Sequence, residues 1–150
     1  MKVMVIGSGL MGPAAAYNAL LDPEVEQVTL ADMRVDQLER AQAKLARIAD
    51  ISKLCIRQVD LNDRRAAAAA IAAADVVVAA LPNRVIPLGL EAAAVARRPW
   101  VDLSRPTRDE IERLGAMMAQ AGVPVVWGCG LEPGLTEIMA RYLAEKLDQV

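Results

Sequence analysis

Three glycines and one acid carry the clearest chemistry in this 150-residue chain. Gly7-Ser8-Gly9-Leu10-Met11-Gly12 follows the short apolar run Lys2–Ile6, and Asp32 closes the next apolar run, Val28–Ala31. Each glycine has a separate mechanical task in a turn that leads from a strand into a helix. Gly7 permits the tight turn, Gly9 leaves the backbone open to a pyrophosphate, and Gly12 allows close packing of the helix. Free N–H groups and the helix dipole at that helix start favour an anion, so Ser8, Leu10 and Met11 join the glycines as candidate cofactor contacts. Asp32 stands after Gly12 at the about 20-residue interval where an acid can accept hydrogen bonds from the adenosine ribose hydroxyls. The pattern predicts a dinucleotide cofactor. A carboxylate favours a free 2′-hydroxyl and repels a 2′-phosphate, so NAD is expected. NADP is the runner-up, because Arg34, beyond Met33, can pair with that phosphate.

Further candidates stand at other strand ends. Asp60, in Val59-Asp60-Leu61-Asn62, can meet the adenine amino group or cap the next turn. Leu81, Pro82 and Asn83 are expected to border the nicotinamide ribose; the simpler reading is a strand stop followed by a helix cap. Asp102, Cys129 and Glu132 are the catalytic candidates, with Ser104 beside Asp102. The chain contains no histidine, so any proton transfer within it must use a carboxylate, cysteine, tyrosine, lysine or water. Cys129 lies between two glycines, near the expected cofactor, and a structural role competes with a catalytic one. Cys55 is expected in the core, and Tyr17 and Tyr142 are read as packing residues. No cluster has metal-ligand spacing, so no metal is expected.

The elements that must position these residues alternate to the end of the chain. Strands are predicted at Lys2–Ile6, Val28–Ala31, Leu54–Val59, Asp75–Leu81, Trp100–Leu103 and Val123–Trp127. Helices are predicted at Met11–Leu21, Val35–Ala49, Asp63–Ala74, Ile86–Ala96, Arg108–Ala121 and Leu135–Leu147. In the second helix Leu38, Ala41, Leu45 and Ile48 form the apolar face. The third is largely alanine, the best helix former. The fourth strand is apolar throughout, as a strand covered on both faces must be. Six strands separated by helices imply an α/β fold: a doubly wound, mostly parallel six-stranded sheet of Rossmann type. Gly7–Gly12, Asp32, Asp60, Pro82-Asn83, Asp102-Ser104 and Gly128–Glu132 all follow carboxyl ends of strands, the edge where open α/β sheets bind ligands.

Composition bounds the alternatives. The length suits one soluble domain. A formal net charge of −2 and the lack of a basic stripe with interleaved aromatics argue against nucleic acid. No apolar run approaches the ~20 residues of a membrane span, and one lysine followed directly by a predicted strand is not expected to be a signal peptide. Two cysteines make no disulfide framework, so a reducing cytoplasm is the expected location.

Read together, Gly7–Gly12, Ala74-Asp75-Val76-Val77-Val78-Ala79-Ala80-Leu81-Pro82, Val101-Asp102-Leu103-Ser104 and Gly128-Cys129-Gly130-Leu131-Glu132-Pro133-Gly134-Leu135 resemble the saccharopine dehydrogenase family, especially its lysine-dehydrogenase-like and saccharopine-reductase-like members. The resemblance covers essentially the whole chain, and the late loop is its most selective part. It implies a nicotinamide cofactor and hydride transfer that makes or breaks C–N bonds of amino acids. By it, Gly7, Gly9, Gly12 and Asp32 bind cofactor, while the Asp102 and Gly130–Gly134 segments face nicotinamide and substrate. It also implies a second domain, for substrate binding and homodimerisation, after Val150. Residues 1–150 are then the dinucleotide-binding half of an oxidoreductase, without turnover of their own. An NAD-sensing regulatory module without catalysis is the alternative; it would need neither Asp102 nor the late loop. Another dehydrogenase with the same amino half, of carboxynorspermidine or homoserine type, is a third reading.

Overall fold

A computed structural model of the chain describes residues 1–147; Asp148, Gln149 and Val150 lie outside the described residues. The elements run β1 (Lys2–Ile6), α1 (Gly12–Leu21), β2 (Gln27–Asp32), α2 (Val35–Leu45), β3 (Leu54–Gln58), α3 (Arg64–Ile71), β4 (Val76–Ala79), α4 (Ile86–Ala96), β5 (Trp100–Asp102), α5 (Arg108–Gln120), β6 (Val125–Val126) and α6 (Leu135–Ala144). A 3-10 turn at Asn83–Val85 leads into α4. All strand pairs are parallel, in the order β3-β2-β1-β4-β5-β6. The expected Rossmann-type doubly wound sheet is therefore present, with the order reversing beside β1.

Strand alternation sends neighbouring residues to opposite faces, and each face carries its own core. Val3 and Val5 of β1 join Val28 and Leu30 of β2 under Ala16 and Leu20 of α1 and Leu38, Ala41 and Leu45 of α2. Met4, Ile6, Val77, Ala79 and Trp100 face the other way, against α3, α4 and α5. Alanine brings α3 close to the sheet: Ala67, Ala70 and Ile71 are fully buried, and the Asp63 carboxylate caps the helix by accepting from Ala66 N at 3.0 Å. Gly89 of α4 lies on the Trp100 indole, which a Cβ at that position would overlap. α5 opens with a reciprocal cap between Thr107 and Glu110.

Three expectations need correction. Cys55 is exposed, not core, because β3 is an edge strand and Cys55 lies on its open side, where Gln27 Nε2 donates to the sulfur at 3.1 Å. Ile48 is exposed because α2 ends at Leu45, before the face expected to include it. Tyr142 is exposed on α6, with Lys146 Nζ 5.0 Å from its ring centroid. Tyr17 does pack against the core. Helix α6 buries none of its residues; Leu135, Ile138, Met139, Tyr142 and Leu143 form an apolar stripe on it that no described residue covers. Among the described residues no helix is long and apolar enough to cross a membrane.

Candidate functional site

The glycine turn is built as its spacing requires. Gly7 has φ +100°, and a Cβ there would overlap the Ala80 carbonyl oxygen. Its N–H donates to Ala31 O at 2.7 Å, which ties the turn to β2. A Cβ at Gly12 would overlap the Gly7 carbonyl oxygen, so α1 starts directly against the turn. Gly9 differs: a Cβ there meets nothing within 4 Å. The fold does not need glycine at position 9; the space above it is open to a ligand. The first turn of α1 holds Pro13, no acid and no side-chain cap, so free N–H groups and the positive end of the dipole face that space.

Asp32 is fixed by the turn it follows. Oδ2 accepts from Ser8 N at 2.7 Å and from Ser8 Oγ at 2.9 Å, and Oδ1 accepts from Arg34 N at 2.9 Å. Ser8 is itself buried, beneath the turn rather than in the space above it. Arg34 turns to Asp36, with Nε to Oδ1 at 3.1 Å and the terminal nitrogen to Oδ2 at 2.8 Å. This pairing, by hydrogen bond first and charge second, raises the Arg34 guanidinium above its ordinary value and lowers the Asp36 carboxyl. Asp60 Oδ1 accepts from Asn62 N at 2.9 Å and Asn62 Nδ2 at 2.8 Å, and these bonds hold its carboxyl below the usual range. The turn-capping role of Asp60 is thus present, and the residue also lines the cleft described next.

A cleft of about 750 Å³ runs along the carboxyl edge of the sheet. Followed in sheet order, its lining passes from Asp60–Asn62 after β3, through Asp32–Arg34 and the Gly7–Met11 turn, to Ala80–Pro82 after β4 and Leu103-Ser104 after β5. Of the expected cofactor residues, Gly7, Gly9, Leu10, Met11, Asp32, Met33, Arg34, Asp60, Leu81 and Pro82 line it. Ser8, Gly12 and Asn83 do not. The sequence reading missed Arg84, Val85 and Leu88, because the 3-10 turn at Asn83–Val85 brings Arg84 rather than Asn83 to the cleft. It also missed Gln37 at the start of α2. Most of the lining is apolar, with Leu10, Met11 and Met33 exposed at the rim, as a flat heteroaromatic ring requires. An open space over Gly9, unencumbered α1 N–H groups and a carboxylate beside it fit a dinucleotide.

The catalytic candidates lie elsewhere. Asp102 is fully buried and lines no part of the cleft. Trp100 and Asp102 share one side of β5, and the indole Nε1 donates to Asp102 Oδ2 at 3.0 Å. Oδ1 accepts from Ser104 N at 2.9 Å and Ser104 Oγ at 2.8 Å. Fully buried and bonded to Trp100 and Ser104, Asp102 ties the end of β5 together and is closed off from the cleft. Cys129 and Glu132 are exposed in the loop after β6 and also lie outside the cleft lining. That loop is stitched to β5: Cys129 N donates to Asp102 O at 2.8 Å and Gly128 N to Ser104 O at 3.0 Å, while Gly130 sits against the Leu103 carbonyl. Among the described residues no three His, Cys, Asp or Glu side chains are grouped to hold a metal ion.

Residues 3–126 match the model of the saccharopine dehydrogenase NADP binding domain. The chain is 25% identical over 151 residues to the mitochondrial alpha-aminoadipic semialdehyde synthase of Bos taurus, covering 99% of this chain and 15% of that protein. Among solved structures it resembles saccharopine dehydrogenase (L-Glu forming) from Saccharomyces cerevisiae, with TM-score 0.78 and 21% identity over 97% of this chain and 31% of that one. An NAD-binding oxidoreductase from Klebsiella pneumoniae gives TM-score 0.62 and 24% identity over 85% of this chain and 34% of that one. The chain thus spans well under half the length of these relatives, and the two structural likenesses speak for the fold.

Proposed function

The chain belongs to the saccharopine dehydrogenase NADP-binding-domain family, and we propose that it holds NAD(H) for an oxidoreductase acting on a C–N bond of an amino acid of lysine or saccharopine type. The observation that carries this reading is the unfilled space over Gly9, framed by the start of α1 and by Asp32. Gly7, Gly9, Leu10 and Met11 would take the pyrophosphate, Asp32 the adenosine ribose, and Met33 and Asp60 the adenine. Leu81 and Pro82 would border the nicotinamide half. Bound there, the nicotinamide supplies the hydride acceptor or donor. This chain's own residues bind and orient it and exclude water along an apolar cleft.

The family's name points to NADP, and the local charges support NAD. Asp32 places a carboxylate at the ribose position, and Arg34 is already held by Asp36. A 2′-phosphate would meet the first and have to compete for the second. Ser8 and Gly12 serve from beneath the turn. Cys129 and Glu132 would act only toward a substrate seated outside the cleft, and Asp102 acts by positioning. We propose further that a substrate-binding and dimerising domain follows Val150; the uncovered apolar stripe of α6 supports it. A cytoplasmic setting remains part of this reading.

Titration calorimetry of the chain with NADH and NADPH tests the cofactor assignment. NADH should bind at least about fivefold more tightly, the equivalent of ~1 kcal/mol for two unit charges about 4 Å apart in water. Asp32→Ala should weaken NADH binding and narrow that gap. Tighter binding of NADPH by the unaltered chain would overturn it.

A further inference from the structure

We propose that Ser104 is a specificity-determining contact: a hydrogen-bond acceptor, oriented by Asp102, for the carboxamide N–H of the nicotinamide ring. The inference rests on the dinucleotide reading of the cleft and extends it to the end opposite the adenosine. Ser104 is half-buried at the β5 end of the lining, whereas Asp32 and Asp60 lie at the β2 and β3 end. With the adenosine ribose at Asp32 and the pyrophosphate over Gly9, the sheet order leaves the β4–β5 end to the nicotinamide.

The polarity of the Ser104 hydroxyl follows from its neighbours. Asp102 is fully buried, and each of its oxygens already faces an N–H donor: Trp100 Nε1 at Oδ2 and Ser104 N at Oδ1. The carboxylate therefore acts as an acceptor at both oxygens. The Ser104 hydroxyl must donate its single hydrogen to Asp102 Oδ1, at 2.8 Å. The hydroxyl then has only lone pairs left for the cleft. A ligand group that donates is favoured there, and one that only accepts is rejected, because no proton remains to meet it. The nicotinamide carboxamide carries two N–H donors. The corresponding acid, in nicotinic acid adenine dinucleotide, carries none and is negatively charged. Trp100, Asp102 and Ser104 thus form a fixed relay from the core to the cleft, and the backbone pairing of Gly128 and Cys129 with the same strand end holds it in place.

Calorimetry with three ligands on three proteins tests this: NADH, ADP-ribose and reduced nicotinic acid adenine dinucleotide, on the unaltered chain, Ser104→Ala and Asp102→Asn. ADP-ribose lacks the nicotinamide, so its binding to the unaltered chain reports on the dinucleotide reading alone. Ser104→Ala should weaken NADH about three- to tenfold, the range of one neutral hydrogen bond, and leave ADP-ribose within about twofold. The unaltered chain should prefer NADH to the acid analogue, and Ser104→Ala should narrow that preference. In Asp102→Asn the buried Trp100 Nε1–H keeps the remaining amide oxygen, which turns the N–H₂ to Ser104; the serine oxygen accepts from it and the serine proton is freed toward the cleft. It should move the ratio of the two affinities toward the acid analogue, a change that a merely structural role would not produce. Unchanged NADH affinity in a folded Ser104→Ala, or an equal loss for ADP-ribose, would overturn the proposal while leaving the cofactor reading intact. Failure of the unaltered chain to bind ADP-ribose would remove both.

Discussion

Asp32 and Ser8 are joined by two hydrogen bonds to a single oxygen, from Ser8 N at 2.7 Å and Ser8 Oγ at 2.9 Å to Asp32 Oδ2. The acid that ends β2 therefore also sets the shape of the turn that ends β1. Oδ1 accepts one backbone bond, from Arg34 N at 2.9 Å. A carboxylate oxygen can accept more than one hydrogen bond, so Oδ1 retains capacity for a ligand hydroxyl.

That coupling predicts two effects from one substitution. Asp32→Asn keeps the shape but places an amide N–H₂ against Ser8 N–H or Arg34 N–H, whichever way it turns. NADH affinity should fall by about tenfold or more, and thermal stability should fall too, by the ~1–3 kcal/mol of a buried donor without its acceptor if the N–H₂ meets Ser8, and by less if it meets the exposed Arg34 N–H. Ser8→Ala removes one of the three bonds and should cost stability alone, with NADH affinity within about threefold. Calorimetry and thermal melts on both variants separate the ligand role of Asp32 from its structural one.

At Gly9 the fold and the ligand make opposite demands. Gly9→Val should melt close to the unaltered chain, because a Cβ there meets nothing in the protein. It should abolish NADH binding, because the branched side chain occupies the pyrophosphate space. The same substitution at Gly12 should unfold or strongly destabilise the chain, since its Cβ overlaps the Gly7 carbonyl. A folded Gly9→Val that still binds NADH would refute the phosphate-loop reading.

Gly89 and Trp100 make a packing test away from the cleft. The added methyl in Gly89→Ala points into the fully buried indole, which has a rigid ring and a committed N–H. Overpacking of this kind costs ~1–3 kcal/mol, a drop in Tm of about 2–12 °C for a domain of about 150 residues. Because Trp100 also donates to Asp102, the variant should loosen Ser104 and weaken NADH slightly more than ADP-ribose. A melt identical to that of the unaltered chain would show that α4 can shift away from the sheet.

Why the site was only partly legible follows from the range of the interactions. The Gly7–Gly12 turn, Asp32 and the helix start signals are local, and local spacing reveals them. Asp102 stands at a strand end like Asp32, yet its partner Trp100 lies on the same side of the same strand and draws it inward. An indole N–H two residues before an acid was the available signal. The exposure of Cys55 depends on which strand lies at the sheet edge, and strand order is a long-range property. Arg84 reaches the cleft through a 3-10 turn that composition does not distinguish from an ordinary helix start.

The cap of α5 gives a prediction with a defined sign. The Glu110 carboxylate accepts from Thr107 Oγ1 at 2.8 Å and Thr107 N at 2.9 Å. The hydroxyl bond first and the backbone bond second lower its carboxyl below the ordinary 4.5. A depressed folded value contributes stability above the unfolded value and loses it as pH falls through the folded one. Glu110→Gln should therefore melt below the unaltered chain at pH 7, and the difference should shrink as pH falls below about 4.5. A difference that stays constant from pH 7 to pH 3 would assign the effect to side-chain shape rather than charge.

The last prediction concerns turnover. Hydride transfer needs the substrate carbon held close to the nicotinamide and oriented toward it, since misplacement by about 1 Å can cost ~100-fold in rate. The described residues form one wall of such a site. The proton-carrying candidates Cys129 and Glu132 are exposed outside the cleft, and Asp102 is buried, bonded to Trp100 and Ser104. Arg84 lines the cleft without an ion pair among the described residues, but one guanidinium does not fix both the carboxylate and the reacting carbon of an amino acid. Residues 1–150 should thus bind NADH yet show no measurable NAD-linked oxidation of lysine or saccharopine, followed by absorbance of the reduced cofactor. Substantial turnover by this chain would place a complete active site within it, and Cys129→Ala and Glu132→Gln would then identify which side chain moves the proton.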